Sequence, residues 1–274
     1  MSISLVHNIL RHYGIYGGQH DQHFLVDEGI LDRIVESADI VPGEVVLEIG
    51  AGIGNLTQRL LHLADKVVAI EFDPKLVAVL EDRFRGNDKL HIIHGDVLKV
   101  EFPIFDKVVA NLPYSISSEI TFKLFKHDFK LGILMYQYEF AQRMIAKPGS
   151  GDYSRLTVNT AYFADASIIM KVPKGVFSPP PQVESAVVKV CPRPAPFTVT
   201  DKDFFLRFVT AIFNKRRKKI KNSIVESNHM LGISNVKQVV SGLPEELMEL
   251  RPENLDPAQL AALSNMILAM HQES

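Results

Sequence analysis

Between residues 45 and 137 short apolar runs alternate with helix-like stretches, and this alternation leaves few architectures open. Val45 to Ile49, Lys66 to Glu71, Leu90 to His94, Asp106 to Asn111 and Leu131 to Gln137 read as strands. Runs such as Val-Val-Leu-Glu-Ile and Leu-Gly-Ile-Leu-Met are almost continuously apolar, which suits strands covered on both faces. Helical spacing fills the gaps at Asn55 to Ala64, from Pro74 onward, and at Ser117 to His127. Pro74 stands in a first turn, where a missing N–H leaves no helical bond unmade. A further helix over Val26 to Ile40 stops at Pro42-Gly43. The pattern predicts βαβ units and a mostly parallel sheet.

Two later strands, Ala166 to Val172 and Glu184 to Val190, are separated by Pro173 and Pro179-Pro180-Pro181 rather than by a helix. They are expected as an antiparallel hairpin at the sheet edge. The alternate prolines of Cys191-Pro192-Arg193-Pro194-Ala195-Pro196 make a stiff, extended boundary. Beyond it only helical periodicity remains, at Asp203 to Phe213, Lys218 to Ser227, Asn235 to Val240 and Asp256 to His271. The expected organisation is an α/β domain over residues 1–191, with a seven-stranded, mostly parallel sheet and an antiparallel edge strand, and a small all-α domain over 197–274.

Several function classes are excluded early. A single cysteine, Cys191, permits neither an internal disulfide nor a multi-cysteine zinc site. The ten histidines, His20 and His23 among them, lack metal-ligand spacing, so no metal is expected. Met1 to Gln19 has no signal-peptide pattern, and no apolar run approaches the roughly 18 residues of a membrane span. A cytoplasmic protein is expected. The net charge of −2 argues against a surface that binds nucleic acid everywhere. Only Lys215-Arg216-Arg217-Lys218-Lys219, with Lys221, is densely basic, and it is the candidate RNA contact.

The chemistry is concentrated at the carboxyl ends of the strands. Glu48-Ile49-Gly50-Ala51-Gly52-Ile53-Gly54 joins a strand to a helix, and its glycines let a ligand approach the backbone. A dinucleotide fingerprint would need glycine at 55, where Asn55 stands, and Glu48 would repel a pyrophosphate. Glu71 ends the next strand, placed to hold ribose hydroxyls, and Asp96 ends the third. Three carboxylates without a phosphate-binding lysine suit a cationic, phosphate-free nucleoside, and S-adenosylmethionine has that chemistry.

Asn111-Leu112-Pro113-Tyr114 ends the fourth strand. The exocyclic amine of adenine is a poor nucleophile because its lone pair is delocalised into the ring. The Asn111 amide oxygen and the Leu112 carbonyl can accept its two protons and free that pair. Tyr114 offers a stacking face for an extruded base, and Phe177, before Ser178-Pro179-Pro180-Pro181, is expected as the second face.

These segments, together with Gln22-His23-Phe24-Leu25-Val26-Asp27 and Gly95-Asp96, occur in the order found in ribosomal RNA adenine dimethyltransferases of the KsgA type. The stretch from Leu134 to Met144 resembles the archaeal and eukaryotic branch. The resemblance implies a Rossmann-like S-adenosylmethionine-dependent methyltransferase domain. It implies cofactor contacts at His23, Leu25, Gly50, Glu71, Asp96 and Asn111, beside Glu48 and Gly52 of the glycine turn. It also implies base contacts from Asn111, Leu112, Tyr114 and Phe177. The expected substrate is a pair of adjacent adenines in a hairpin loop near the 3′ end of small-subunit ribosomal RNA, within a preassembled subunit, and a monomeric enzyme is expected. One departure is that Tyr13 to Asp21 carries no Lys or Arg where such enzymes are lysine-rich. The competing readings are a large-subunit adenine methyltransferase, a non-catalytic RNA-binding assembly factor and an NAD-dependent dehydrogenase.

Overall fold

The computed structural model describes residues 3–15 and 22–272, so most of the lysine-free stretch, Tyr16 to Asp21, lies outside the described residues. Nine strands are formed among the described residues: β1 Phe24–Leu25, β2 Val45–Ile49, β3 Lys66–Glu71, β4 Leu90–His94, β5 Lys107–Asn111, β6 Leu131–Gln137, β7 Ala164–Val172, β8 Phe177–Ser178 and β9 Ser185–Pro192. Seven of them make one sheet in the order β4-β3-β2-β5-β6-β9-β7. The pairs from β4 to β6 are parallel. Strand β9 runs antiparallel to β6, with Gly132 opposite Val190 and Gln137 opposite Ser185.

Strand order explains where a ligand can sit. From β2 the chain steps outward to β3 and β4, then returns to the other side of β2 for β5 and β6. The two crossovers lead away in opposite directions from the β2–β5 boundary, opening a crevice at their carboxyl ends. The glycine turn follows β2 and the Asn-Leu-Pro-Tyr turn follows β5, so both face that crevice. Val46, Leu47, Val108, Val109 and Ile133 are fully buried, as the unbroken apolar strands require.

The remaining two strands form a separate ladder, with Phe24 opposite Ser178 and Leu25 opposite Phe177. A two-residue ladder has no sequence periodicity to announce it. The helix Ile3–His12 was likewise not signalled, and its Val6 and Leu10 pack with Phe24, Ile53 and Leu76.

The chain divides into two compact units. One comprises Met1–Ala141 with Ser167–Pro192, and the other Gln142–Ala166 with Arg193–Ser274. The second break falls within the proline-rich stretch, but residues 142–166 group with the helical unit, although the sequence pattern places them in the α/β domain. Their helix Arg155–Phe163 contributes Val158 to a buried cluster with Tyr153, Phe205, Phe208, Ile224 and Leu260. Tyr153 also donates to the Leu255 carbonyl at 2.8 Å. Among the described residues, no helix is long and apolar enough to cross a membrane.

Candidate active site

A cavity of about 390 Å³ occupies the β2–β5 crevice. Its walls include His23, Leu25, Glu48, Gly50, Gly52, Glu71, Asp96, Asn111, Leu112 and Tyr114. Glycine is required in the floor. Gly50, Gly52 and Gly54 all have positive φ, and at Gly54 a β-carbon would come within 2.6 Å of the Phe84 ring and 2.9 Å of Leu80. The Arg83 guanidinium donates to the Ile53 carbonyl and secures the turn from below.

The acids of the cavity differ in how they are held. Glu48 is 1% exposed, and its Oε2 is buried without a hydrogen-bond partner. Burial pushes its carboxyl up to about 8 against the pull of Thr57, and the charge of Glu71 adds to the push. Glu71 accepts from the Gly52 N–H at 2.8 Å with one oxygen, and from the Phe72 and Asp73 N–H groups at 2.8 and 3.0 Å with the other. Burial raises its carboxyl above the ordinary value while these donors oppose the shift. Asp96 is more open. The Leu98 N–H, at 2.9 Å, holds its carboxyl below the ordinary value, with Lys99 helping from 3.4 Å. Among the described residues no side-chain cation pairs with Glu48 or Glu71. A ligand carrying an ammonium group supplies the missing charge, so the residues present fit the amino-acid end of S-adenosylmethionine.

At the reaction centre the Asn111 amide nitrogen donates to the His23 carbonyl at 3.1 Å. A carbonyl can only accept, so this bond fixes which end of the amide is nitrogen and leaves Oδ1 as an acceptor. The Tyr114 hydroxyl is hydrogen-bonded to Ser185 Oγ at 2.5 Å, which restrains its ring. That ring stacks with His23, centroids 6.2 Å apart at 28°. The His23 Nδ1 donates to the Pro179 carbonyl at 3.0 Å, so in the neutral ring the proton lies on Nδ1.

Phe177 is placed differently from its expected role. It is 4% exposed, lies opposite Leu25 and packs with Leu31, Ile34 and Met170, and it is not part of the cavity wall. The backbone of β8 turns its ring into the core, and the aromatic ring beside Tyr114 is that of His23.

The basic run is also less free than its sequence suggests. Lys218 and Lys215 pair with Glu226, the latter at 4.0 Å, and Lys219 and Lys221 pair with Glu249. Arg216 pairs with Glu253 at 2.7 Å and donates to the Ser150 and Gly151 carbonyls. Among the described residues only Arg217 of this run is exposed without a recorded carboxylate partner. Three carboxylates thus neutralise part of the cluster, which sequence alone could not reveal because those acids lie up to 37 residues away.

Sequence reasoning missed the parts that hold the site together: Asn55, Gln22 and Pro179. Asn55 donates to the Leu25 carbonyl at 2.9 Å, and Gln22 donates to Asp73 at 2.9 Å. The available signal was the asparagine standing where a dinucleotide site would have glycine.

Comparison with known proteins identifies the family. The family model for ribosomal RNA adenine dimethylases matches residues 18–249. A protein of Methanococcoides burtonii, named as a probable ribosomal RNA small subunit methyltransferase A, is 63% identical over 98% of this chain and 100% of its own. One of the same name from Halobacterium salinarum is 44% identical over 94% of this chain and 92% of its own. Among solved structures, a dimethyladenosine transferase from Plasmodium falciparum superposes with a TM-score of 0.79 and 34% identity, covering 92% of this chain and 98% of that one. The 23S rRNA methyltransferase ErmE superposes with a TM-score of 0.66 and 26% identity, covering 89% and 99%. With the family model spanning most of its length and full-length relatives at this identity, the chain belongs to the ribosomal RNA adenine dimethylase family.

Proposed function

We propose that this chain transfers methyl groups from S-adenosylmethionine to the exocyclic amines of two adjacent adenines in the 3′-terminal hairpin loop of small-subunit ribosomal RNA, within a preassembled subunit. The observation that carries this reading is the Asn111 amide, turned by the His23 carbonyl so that Oδ1 remains an acceptor at the mouth of an acid-lined cavity. The relatives named for the small subunit support that substrate over large-subunit RNA, since they are matched end to end and at higher identity than the large-subunit enzyme.

S-adenosylmethionine, when bound, supplies an electrophilic methyl group on a sulfonium. The protein residues do the rest. Glu48 receives the ammonium group, Glu71 the ribose hydroxyls and Asp96 the adenine end. His23, Leu25, Gly50 and Gly52 shape the backbone around them. The Asn111 Oδ1 and the Leu112 carbonyl accept the two protons of the target amine, so its lone pair is released from the ring and directed in line at the methyl carbon. The bound cofactor would supply the methyl carbon to that lone pair, with its sulfur keeping the electrons of the broken carbon–sulfur bond, and the amine proton would leave to water. Tyr114 stacks on the base. Phe177 acts from behind, fixing the strand that carries His23 through its pairing with Leu25. Arg217 and the partly neutralised lysines beside it give the helical unit a local phosphate contact.

The test is methylation of purified, unmodified small subunits with labelled cofactor, followed by mapping of the product. Dimethyladenosine at two adjacent positions near the 3′ end is expected. Transfer confined to large-subunit RNA overturns the substrate, and binding without transfer returns the chain to the assembly-factor reading.

A further inference from the structure

Asn55 is the residue that the cofactor reading leaves without a role. It is 6% exposed and begins the helix after the glycine turn. Its Nδ2 donates to the Leu25 carbonyl at 2.9 Å, and Arg83 approaches its Oδ1 at 3.5 Å. Two residues earlier on the same segment, the His23 carbonyl accepts from Asn111 at 3.1 Å. In an extended chain the carbonyls of residues i and i+2 point to the same side. Between them Phe24 pairs with Ser178 across the short ladder. Residues 23 to 25 therefore form a strap with one amide at each end, Asn55 from the cofactor turn and Asn111 from the reaction centre.

The strap carries more than one function. The His23 ring stacks with Tyr114, and the His23 carbonyl selects the orientation of the Asn111 amide. Gln22 ties it to Asp73, and the His23 ring donates to the Pro179 carbonyl. Phe24 packs against Ile53 of the glycine turn, and Asn55 adds the hydrogen bond that joins the strap to the end of that turn. A glycine at 55, as in a dinucleotide site, would leave the Leu25 carbonyl buried without that donor.

We propose that Asn55 is a positioning residue for methyl transfer: by holding the strap at Leu25 it fixes the His23 carbonyl and hence presents the Asn111 Oδ1 to the target amine. This rests on the assignment of Asn111 as the amine acceptor. Asn55 acts through the strap and touches neither the amine nor the methyl group.

The decisive variants are Asn55→Ala and Asn55→Asp. The aspartate keeps the size and strengthens the approach of Arg83 but has no proton to give the Leu25 carbonyl. Both are expected to lower kcat for methyl transfer to unmodified small subunits by roughly tenfold to a hundredfold, the scale of a misplaced catalytic group. The affinity for S-adenosylhomocysteine, read by calorimetry, is expected to change less than about threefold. The side-chain amide resonance of Asn111, assigned by its loss in Asn111→Ala, is expected to shift in both Asn55 variants. An Asn55→Asp enzyme with wild-type kcat overturns the proposal, as does an unmoved Asn111 amide. So does a parallel loss of kcat and cofactor affinity, or a variant no longer folded at the assay temperature, since either outcome makes Asn55 a structural residue only. If the wild-type protein failed to methylate RNA, the proposed function would fall, while the Asn111 resonance would still decide whether the strap is held by Asn55.

Discussion

Strand β2 has a glutamate at each end of its span, and the two are treated in opposite ways. Glu44 precedes the strand at its amino end, where Lys107 pairs with it at 2.8 Å and Lys130 at 3.2 Å. Lys130 also pairs with Asp106 at 2.9 Å, and Lys107 donates to the Asp39 carbonyl. Burial pushes the Glu44 carboxyl up, but the hydrogen bonds from Lys107, the Val41 N–H and Lys130 outweigh it and hold it below the ordinary value. Glu48, four residues on, is more deeply buried and meets no side-chain cation among the described residues, and burial pushes it up to about 8. One end of the sheet closes its charges internally, and the other leaves a carboxyl without a cation where the ammonium group of the proposed cofactor would lie. A deficit of this kind lowers stability and is retained at sites that need the charge.

This contrast can be tested from both ends. The largest effect is expected from Asn111→Ala at the carboxyl end: kcat falls by about 10²–10³, as for removal of one preorganised polar group, with the thermal midpoint nearly unchanged. A turnover near wild type in labelled-methyl assays would remove Asn111 from the reaction centre. Lys107→Met should do the reverse. It leaves Glu44 buried with only Lys130, and chemical denaturation is expected to show a loss of about 3 kcal/mol while cofactor affinity stays put. If affinity dropped and stability did not, the two ends would not be separable.

Glu48→Gln changes a carboxyl whose Oε2 has no hydrogen-bond partner among the described residues. Stability is expected to hold or rise, and affinity for S-adenosylmethionine to fall about tenfold, the loss of one charge-assisted contact. Equal affinity would mean that the ammonium group is recognised elsewhere. The pH dependence follows from the same group. An acid raised to about 8 in the free protein is protonated at neutral pH, and holding an ammonium group favours its ionised form. Binding should therefore release a proton below pH 8 and weaken as pH falls from 8 toward the ordinary carboxylate range. Calorimetry in buffers of different ionisation enthalpy reads the released proton directly, and in Glu48→Gln that release should vanish. The smallest effect concerns the basic run. Because only Arg217 lacks a recorded carboxylate partner, Arg217→Ala is expected to reduce the salt slope of RNA binding by about one. Lys218→Ala, by contrast, should change it by less. Equal slopes for the two would mean that the ion pairs open on the RNA.

Much of this contrast could be read in advance, for physical reasons. Strands buried on both faces must be apolar throughout, so β2, β3, β5 and β6 are plain in the sequence, and the polar residues that break their ends stand out. Glu48, Glu71, Asp96 and Asn111 are conspicuous because they sit where the apolar runs stop. The helix Arg155–Phe163 escaped notice because it buries Thr157, Asn159 and Thr160, which blur its apolar stripe. The ladder of β1 with β8 pairs Phe24 with Ser178 and Leu25 with Phe177, far apart in the chain and beyond any local pattern. Phe177 was read as an exposed stacking face because a proline-rich loop suggests exposure, whereas pairing with Leu25 turns it inward. Arg216 and Lys219 look free in sequence, since their partners Glu253 and Glu249 are brought near only by the folding of the helical unit.

The division of the chain also has a consequence in time. The segment Gln142–Ala166 belongs to a unit whose other part begins at Arg193, and the Tyr153 hydroxyl finds its acceptor in Leu255, 102 residues later. At a synthesis rate of about 5–20 residues per second, that acceptor emerges roughly 5–20 s after the donor. Until Phe205 and Phe208, and later Ile224 and Leu260, have emerged, Val158 and its neighbours lack the apolar surface that covers them. The nascent chain must complete β9 against β6 across this unfinished excursion, and the helical unit is the last to close.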